Sequence, residues 1–130
     1  MANIMIADTD VIIDYFSGVE PIASTVGKLM ETDRLAITSI TVFELYAGVI
    51  GTKRIGQIDA LLAAIRVYSF GIEEALVAVE IYNDLKKKGN LIGIEDILIA
   101  GICIAGKRKL LTRNKEHFSR IRNLELYKVT

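Results

Sequence analysis

Three carboxylates in this 130-residue chain stand where solvent-facing acids do not belong. Asp8 ends the apolar run Ile4-Met5-Ile6-Ala7. Glu44 lies in Ile40-Thr41-Val42-Phe43-Glu44-Leu45-Tyr46, between large apolar groups, and Asp96 opens the apolar segment Ile97-Leu98-Ile99-Ala100. A helix with no polar face is buried, so Asp96 enters the interior near a helix amino end, where the helix dipole favours its charge. A buried carboxylate still needs a partner or a metal. Taken singly, Asp96 reads equally well as an ordinary first-turn acid. Three acids that converge on one crevice share a single partner, whereas three unrelated ones would each need their own. Oxygen ligands without a histidine or cysteine cluster suit Mg2+ or Mn2+, not zinc. Such ions serve phosphodiester hydrolysis, where they lower the pKa of a bound water and neutralise the leaving oxyanion.

The elements that must position these acids alternate along the chain. A strand at Ile4–Ala7 leads into a short helix around Val11–Phe16, stopped by Ser17-Gly18. Pro21 suits the first turn of a helix to Glu31, because proline lacks only a donor that is free there. Leu35–Thr38 is a second strand, after which Ser39 or Thr41 can cap a helix through Val42, Leu45 and Val49. Helical spacing follows over Arg54–Ile65, a third strand over Val67–Phe70, and an amphipathic helix over Glu73–Lys88. Lys86, Lys87 and Lys88 complement the carboxyl end of that helix. A buried helix spans Ile94–Ala105, a fourth strand Leu110–Thr112, and a fifth Leu124–Val129. Strands separated by helices mean a mostly parallel sheet covered on both faces. Asp8 and the Thr112-Arg113-Asn114 segment then leave the carboxyl edge of that sheet, where ligands of open α/β folds bind.

Composition narrows the class. At 130 residues and 52% hydrophobic, with one proline, the chain is expected to form one domain with a proper core. The single cysteine, Cys103, excludes an internal disulfide or a cysteine zinc cluster and reads as a small core residue. Formal net charge is zero, which argues against binding nucleic acid by bulk charge. The distribution is polar, however. Seven acids face Lys28 and Arg34 from Met1 to Thr52, while eight bases face Glu116 and Glu125 from Gly106 to Thr130. This suits acids that hold a cation and bases that hold a polyanion, and equally suits surface charge that happens to segregate. No signal peptide and no membrane span is expected, and a cytoplasmic protein follows.

The motifs Asp8-Thr9-Asp10-Val11-Ile12-Ile13-Asp14, Thr41-Val42-Phe43-Glu44-Leu45, Asp96-Ile97-Leu98-Ile99-Ala100 and Leu111-Thr112-Arg113-Asn114-Lys115-Glu116-His117-Phe118 occur in this order. Their succession resembles the PIN domain, and specifically the VapC-type toxin ribonucleases of type II toxin–antitoxin systems, over about Ile4–Tyr127. The resemblance implies a Rossmann-like three-layer α/β fold, with a central, mostly parallel sheet of four to five strands flanked by helices. It also implies Mg2+-dependent cleavage of RNA (with Mn2+ as a substitute), an antitoxin that blocks the site, and a homodimer. Carried over, Asp8, Glu44 and Asp96 are the acidic metal-site residues. Asn114 holds the fourth corner, where many family members have an acid, and Glu116 two residues on is the other candidate for it. Asn114 adds no negative charge, which favours one tightly held ion.

Asp10 and Thr112 are expected to orient these groups or a metal water from behind. Asp14 either supports them in the same way or lies on the surface, and the surface is the favoured reading. Arg113 and Lys115 are the candidate RNA phosphate contacts, which would position RNA without reading its bases. Lys107, Arg108 and Lys109 read as a solvated turn, and His117 as a packing or capping residue. Two other readings stand beside the nuclease. Asp8-Thr9-Asp10 also matches the nucleophile motif of haloacid-dehalogenase-type phosphatases, although the second acidic pair of that fold is missing near Thr112. A PIN-like fold kept for protein association, with weak catalysis, is the third.

Overall fold

A computed structural model describes residues 3–129. Strands β1 (Met5–Ala7), β2 (Leu35–Thr38), β3 (Arg66–Tyr68) and β4 (Lys109–Leu111) pair in parallel in the order β3-β2-β1-β4. Every residue of β1 and β2 is buried, as expected of parallel strands covered on both faces. Their side chains alternate between two cores. Ile6, Ala36 and Leu110 face α5 (Ile72–Lys87) and α6 (Ile94–Ala105), together with Phe118 and Ile121. Met5, Ala7, Leu35, Ile37 and Leu111 face the other way. That second core is closed by α1 (Thr9–Phe16), α2 (Ile22–Glu31), α3 (Ser39–Ala47) and α4 (Thr52–Ala64). The result is the expected three-layer arrangement.

Strand order sets the location of the crevice. The chain moves outward from β1 to β2 and β3, then returns to β4 on the opposite flank of β1. The turning point of the topology therefore lies between the carboxyl ends of β1 and β4. The Asp8 amide donates to the Leu111 carbonyl there, at 2.9 Å. This is where an open parallel sheet leaves room for a ligand.

Several local expectations are corrected. The helix after β2 is capped by Thr38, whose hydroxyl accepts from the Thr41 amide at 3.1 Å, and not by Ser39 or Thr41. Strand passes to helix without a loop, so the last strand residue must satisfy the first-turn donors. No fifth strand forms at Leu124–Val129; that segment makes one parallel bridge, Leu126 to Leu110. A four-residue helix, α7 (Lys115–Phe118), follows β4 and was not expected. Arg108 is not merely solvated, because its guanidinium lies 4.0 Å from the Tyr68 ring centre. Cys103 is fully buried in the core, and burial pushes its thiol up to about 12. Gly101 is where α6 approaches α5: a methyl there would meet the Glu74 carbonyl at 2.9 Å and Ala78 at 3.0 Å. Among the described residues no helix is long and apolar enough to cross a membrane.

Candidate active site

Asp8 is the last residue before α1 and caps it: Oδ1 accepts from the Thr9 amide at 2.8 Å. Its other oxygen, Oδ2, accepts from the Thr112 hydroxyl at 2.7 Å, linking positions 104 residues apart across the β1–β4 junction. Both oxygens are thus oriented. Asp8 is only 6% exposed, and burial raises its pKa, against the lowering effects of Thr112, the Thr9 amide and the Arg113 charge.

Glu44 is brought to this place by α3, in the second turn after the Thr38 cap. The Thr9 hydroxyl lies 2.6 Å from Glu44 Oε1 and 3.1 Å from the Thr41 hydroxyl, so the first residue of α1 positions the acid of α3. Asp96 enters from the first turn of α6. Burial, together with the charges of Asp8 and Glu44, raises its pKa to about 6, while His117 pulls the other way. Asp8 and Glu44 are therefore near enough to oppose the ionisation of Asp96.

Asn114 closes the fourth side. Its amide nitrogen Nδ2 donates to Asp96 Oδ2 at 3.3 Å and lies 2.9 Å from His117 Nδ1. The two hydrogens of that amide suffice for both contacts when the ring is neutral at Nδ1. The Asn114 main-chain amide donates to the Thr112 hydroxyl at 3.0 Å. His117 thus supports Asn114 from behind. Glu116 is 84% exposed at its side chain and pairs with Arg120 at 3.5 Å, so it turns away from the site. Lys115 is exposed.

The remaining predicted residues fall differently. Asp14 is buried, not exposed: it is 6% accessible, and its Oδ2 lies 3.1 Å from Arg113 Nε. It stands one helical turn beyond Asp10, on the face of α1 that Arg113 meets. Arg113 Nε also lies 3.7 Å from Asp10. Burial and the Asp8 charge raise the Asp10 pKa to about 6, and the Arg113 charge opposes them. Arg113, expected as a phosphate contact, lies against α1 through Asp10 and Asp14 with its side chain 56% exposed. Thr9 and Thr41 went unnoticed as site residues. A hydroxyl directly after the strand-ending acid is the one signal that could have singled out Thr9.

The donors fit a small, oxygen-seeking cation. Half-buried Asp96 and Asp10, whose pKa values the Asp8 charge helps to raise, call for positive charge, and Asp10 Oδ1 is buried without a hydrogen-bond partner. Among the described residues no three acids, histidines or cysteines are gathered closely enough to enclose an ion by themselves. An ion of the Mg2+ type keeps several waters and needs only one or two carboxylates.

Comparison with known proteins agrees with this geometry. The PIN domain family matches residues 5–124. Ribonuclease VapC1 of Haemophilus influenzae (strain R2866) is 33% identical over 128 residues, which span 94% of this chain and 95% of that protein. Ribonuclease VapC1 of Methanocaldococcus jannaschii is 30% identical over 122 residues, 94% of this chain and 84% of that protein. The solved structure of VapBC2 from Rickettsia felis bound to a promoter DNA fragment superposes with a TM-score of 0.86 at 26% identity, covering 98% of this chain and 99% of that one. A match over nearly the whole sheet and its helices, together with full-length relatives at 30% identity or more, places the conclusion beyond the fold alone: the chain belongs to the PIN domain family, in its VapC type.

Proposed function

We propose that this chain is a metal-dependent endoribonuclease and the toxin of a toxin–antitoxin pair, with its site built from Asp8, Glu44, Asp96 and Asn114. Relatives named Ribonuclease VapC support the activity, and ribonucleases of the PIN family depend on a metal ion in general. The observation that carries the assignment of residues is the set of hydrogen bonds that orients them: Thr112 to Asp8 at 2.7 Å, Thr9 to Glu44 at 2.6 Å and Asn114 to Asp96 at 3.3 Å. Burial and the charges of Asp8 and Glu44 raise the Asp96 pKa to about 6, a conflict that a cation would lift.

Asp8 and Asp96 would hold the ion, with Glu44 as a further ligand or as the group that polarises a water. Mg2+ is the proposed ion and Mn2+ a working substitute, because every donor is an oxygen. When bound, the ion acidifies a water and supplies charge to the leaving oxygen. The chain does the rest. Thr112 and the Thr9 amide fix both oxygens of Asp8, the Thr9 hydroxyl aims Glu44, and Asn114 aims Asp96. Exposed Lys115, next to Asn114, is the proposed phosphate contact. Membership of the PIN family weighs against a phosphoenzyme on Asp8.

A cognate antitoxin that covers the site is part of the proposal. Its support is the relation to VapBC-1 from nontypeable Haemophilus influenzae, 32% identical with a TM-score of 0.82, and to the Rickettsia felis VapBC2 structure. So are a cytoplasmic site of action and a homodimer; exposed Ile72, Leu76 and Val79, about one turn apart on α5, support the dimer. Sedimentation of the purified chain as a monomer at all concentrations would remove the last of these.

The decisive experiment incubates purified protein with cellular RNA in Mg2+ or Mn2+. Cleavage is expected, with loss in EDTA and a decrease of at least about 100-fold in Asp8→Asn and Asp96→Asn. Wild-type protein that neither cuts RNA nor binds a divalent ion overturns the proposal.

A further inference from the structure

Three consecutive residues at the exit of β4 each engage a different acid. Thr112 donates to Asp8 at 2.7 Å, and Asn114 donates to Asp96 at 3.3 Å. Between them Arg113 turns to α1, with its Nε 3.1 Å from Asp14 and 3.7 Å from Asp10. Asp10 and Asp14 are four residues apart in a helix and so share a face. Asp14 is buried and its Oδ2 has no hydrogen-bond partner, which leaves the guanidinium as the charge that offsets it. Removing one member of such a pair leaves an uncompensated buried charge.

We infer that Arg113 is a positioning residue of the proposed nuclease site, acting through Asp14 and Asp10 to hold Thr112 against Asp8 and Asn114 against Asp96, and that it is not a contact to RNA phosphate. The inference rests on the function proposed above. Planar peptide units tie the three residues together, so displacing the middle one moves both neighbours. The Arg113 side chain is 56% exposed, and a phosphate could approach it. Transfer of the guanidinium to RNA would strand the Asp14 carboxylate, which opposes such a switch.

The test compares Arg113→Gln, Arg113→Lys, Asp14→Asn and the Gln/Asn double variant with wild type. Three readouts are needed: Mn2+-dependent cleavage of bulk tRNA and ribosomal RNA, binding of a labelled mixed-sequence single-stranded RNA in EDTA at several salt concentrations, and amide hydrogen exchange of metal-free protein. Arg113→Gln and Asp14→Asn are each expected to lower kcat about 10- to 100-fold, the range found for residues that orient metal ligands. KM and the salt dependence of RNA binding stay at wild-type values, and the double variant is no worse than the worse single one. Exchange of the Thr112–Asn114 amides accelerates, and Arg113→Lys recovers part of the lost kcat.

A raised KM with unchanged kcat, and a salt slope shallower by about 0.7, would mark a phosphate contact and overturn the inference. Wild-type behaviour of Asp14→Asn would overturn it too. If wild type cuts no RNA, the nuclease reading fails separately, and amide exchange still decides: unchanged exchange in both single variants sinks the positioning role. If Arg113→Gln does not fold, Arg113→Lys and Asp14→Asn carry the same comparison.

Discussion

Replacing Thr9 by valine keeps the shape of the first residue of α1 and removes one hydroxyl. That hydroxyl is what fixes Glu44, at 2.6 Å. RNA cleavage by Thr9→Val is expected to fall about 10-fold or more, with far-ultraviolet circular dichroism unchanged; full activity would show that Glu44 needs no such support. A second residue-scale prediction concerns pH. Asp96 has its folded pKa raised from 3.8 to about 6, so between these values the folded state binds more protons than the unfolded one. Metal-free protein therefore loses stability as pH rises from about 4 to 6. A pKa rise of that size corresponds to about 3 kcal/mol, and partial exposure of the carboxylate reduces it to about 1 kcal/mol. Asp96→Asn should weaken that dependence and raise the metal-free melting temperature at neutral pH; thermal scans across pH check both. The three acids were legible as residues in the wrong company. Asp14 was not. Nothing local distinguishes an exposed acid on α1 from one buried under Arg113, because its partner comes from the far end of the chain.

At the scale of elements, strands with continuous apolar sequence and helices with clear periodicity were legible, and α6 has the expected bounds, Ile94–Ala105. What failed was short or context-dependent. Lys115–Phe118 is too short to show a helical period, and Leu124–Val129 alternates like a strand yet finds only one partner on a three-residue edge. Gly101 provides the element-scale prediction. Alanine at a helix interior normally gains up to about 1 kcal/mol over glycine. Here its methyl would press on the α5 backbone at 2.9 Å, and overpacking of this kind costs about 1–3 kcal/mol. Gly101→Ala is therefore expected to be destabilising on balance, seen as a lower urea midpoint with an unchanged slope. A higher midpoint would mean that α5 and α6 separate easily.

Across the whole molecule, the acidic front and basic tail meet at one point of the site, where Arg113 joins β4 to α1. Most other tail bases are occupied locally: Lys109 with Glu125, Arg120 with Glu116, Arg122 with Asp84, and Arg108 over Tyr68. The segregation of charge along the sequence therefore does not become a broad basic face beside the acids. Topology, more than charge, defines the site: the reversal of strand order at β1 opens the crevice, and Asp8 lies in it because β1 ends there.

The single bridge between Leu126 and Leu110 has a consequence for solubility. The Leu110 amide donates to the Glu125 carbonyl at 3.0 Å, and the Tyr127 amide donates to the Leu110 carbonyl at 2.8 Å. The tail thereby occupies the outer hydrogen-bonding groups of a strand that would otherwise offer them to a neighbouring molecule. It shields an edge more than it extends a sheet. Deleting residues 124–130 is expected to leave the acids in place but expose that edge, and light scattering should report self-association that grows with protein concentration. A truncated chain that stays monodisperse would assign the tail some other role.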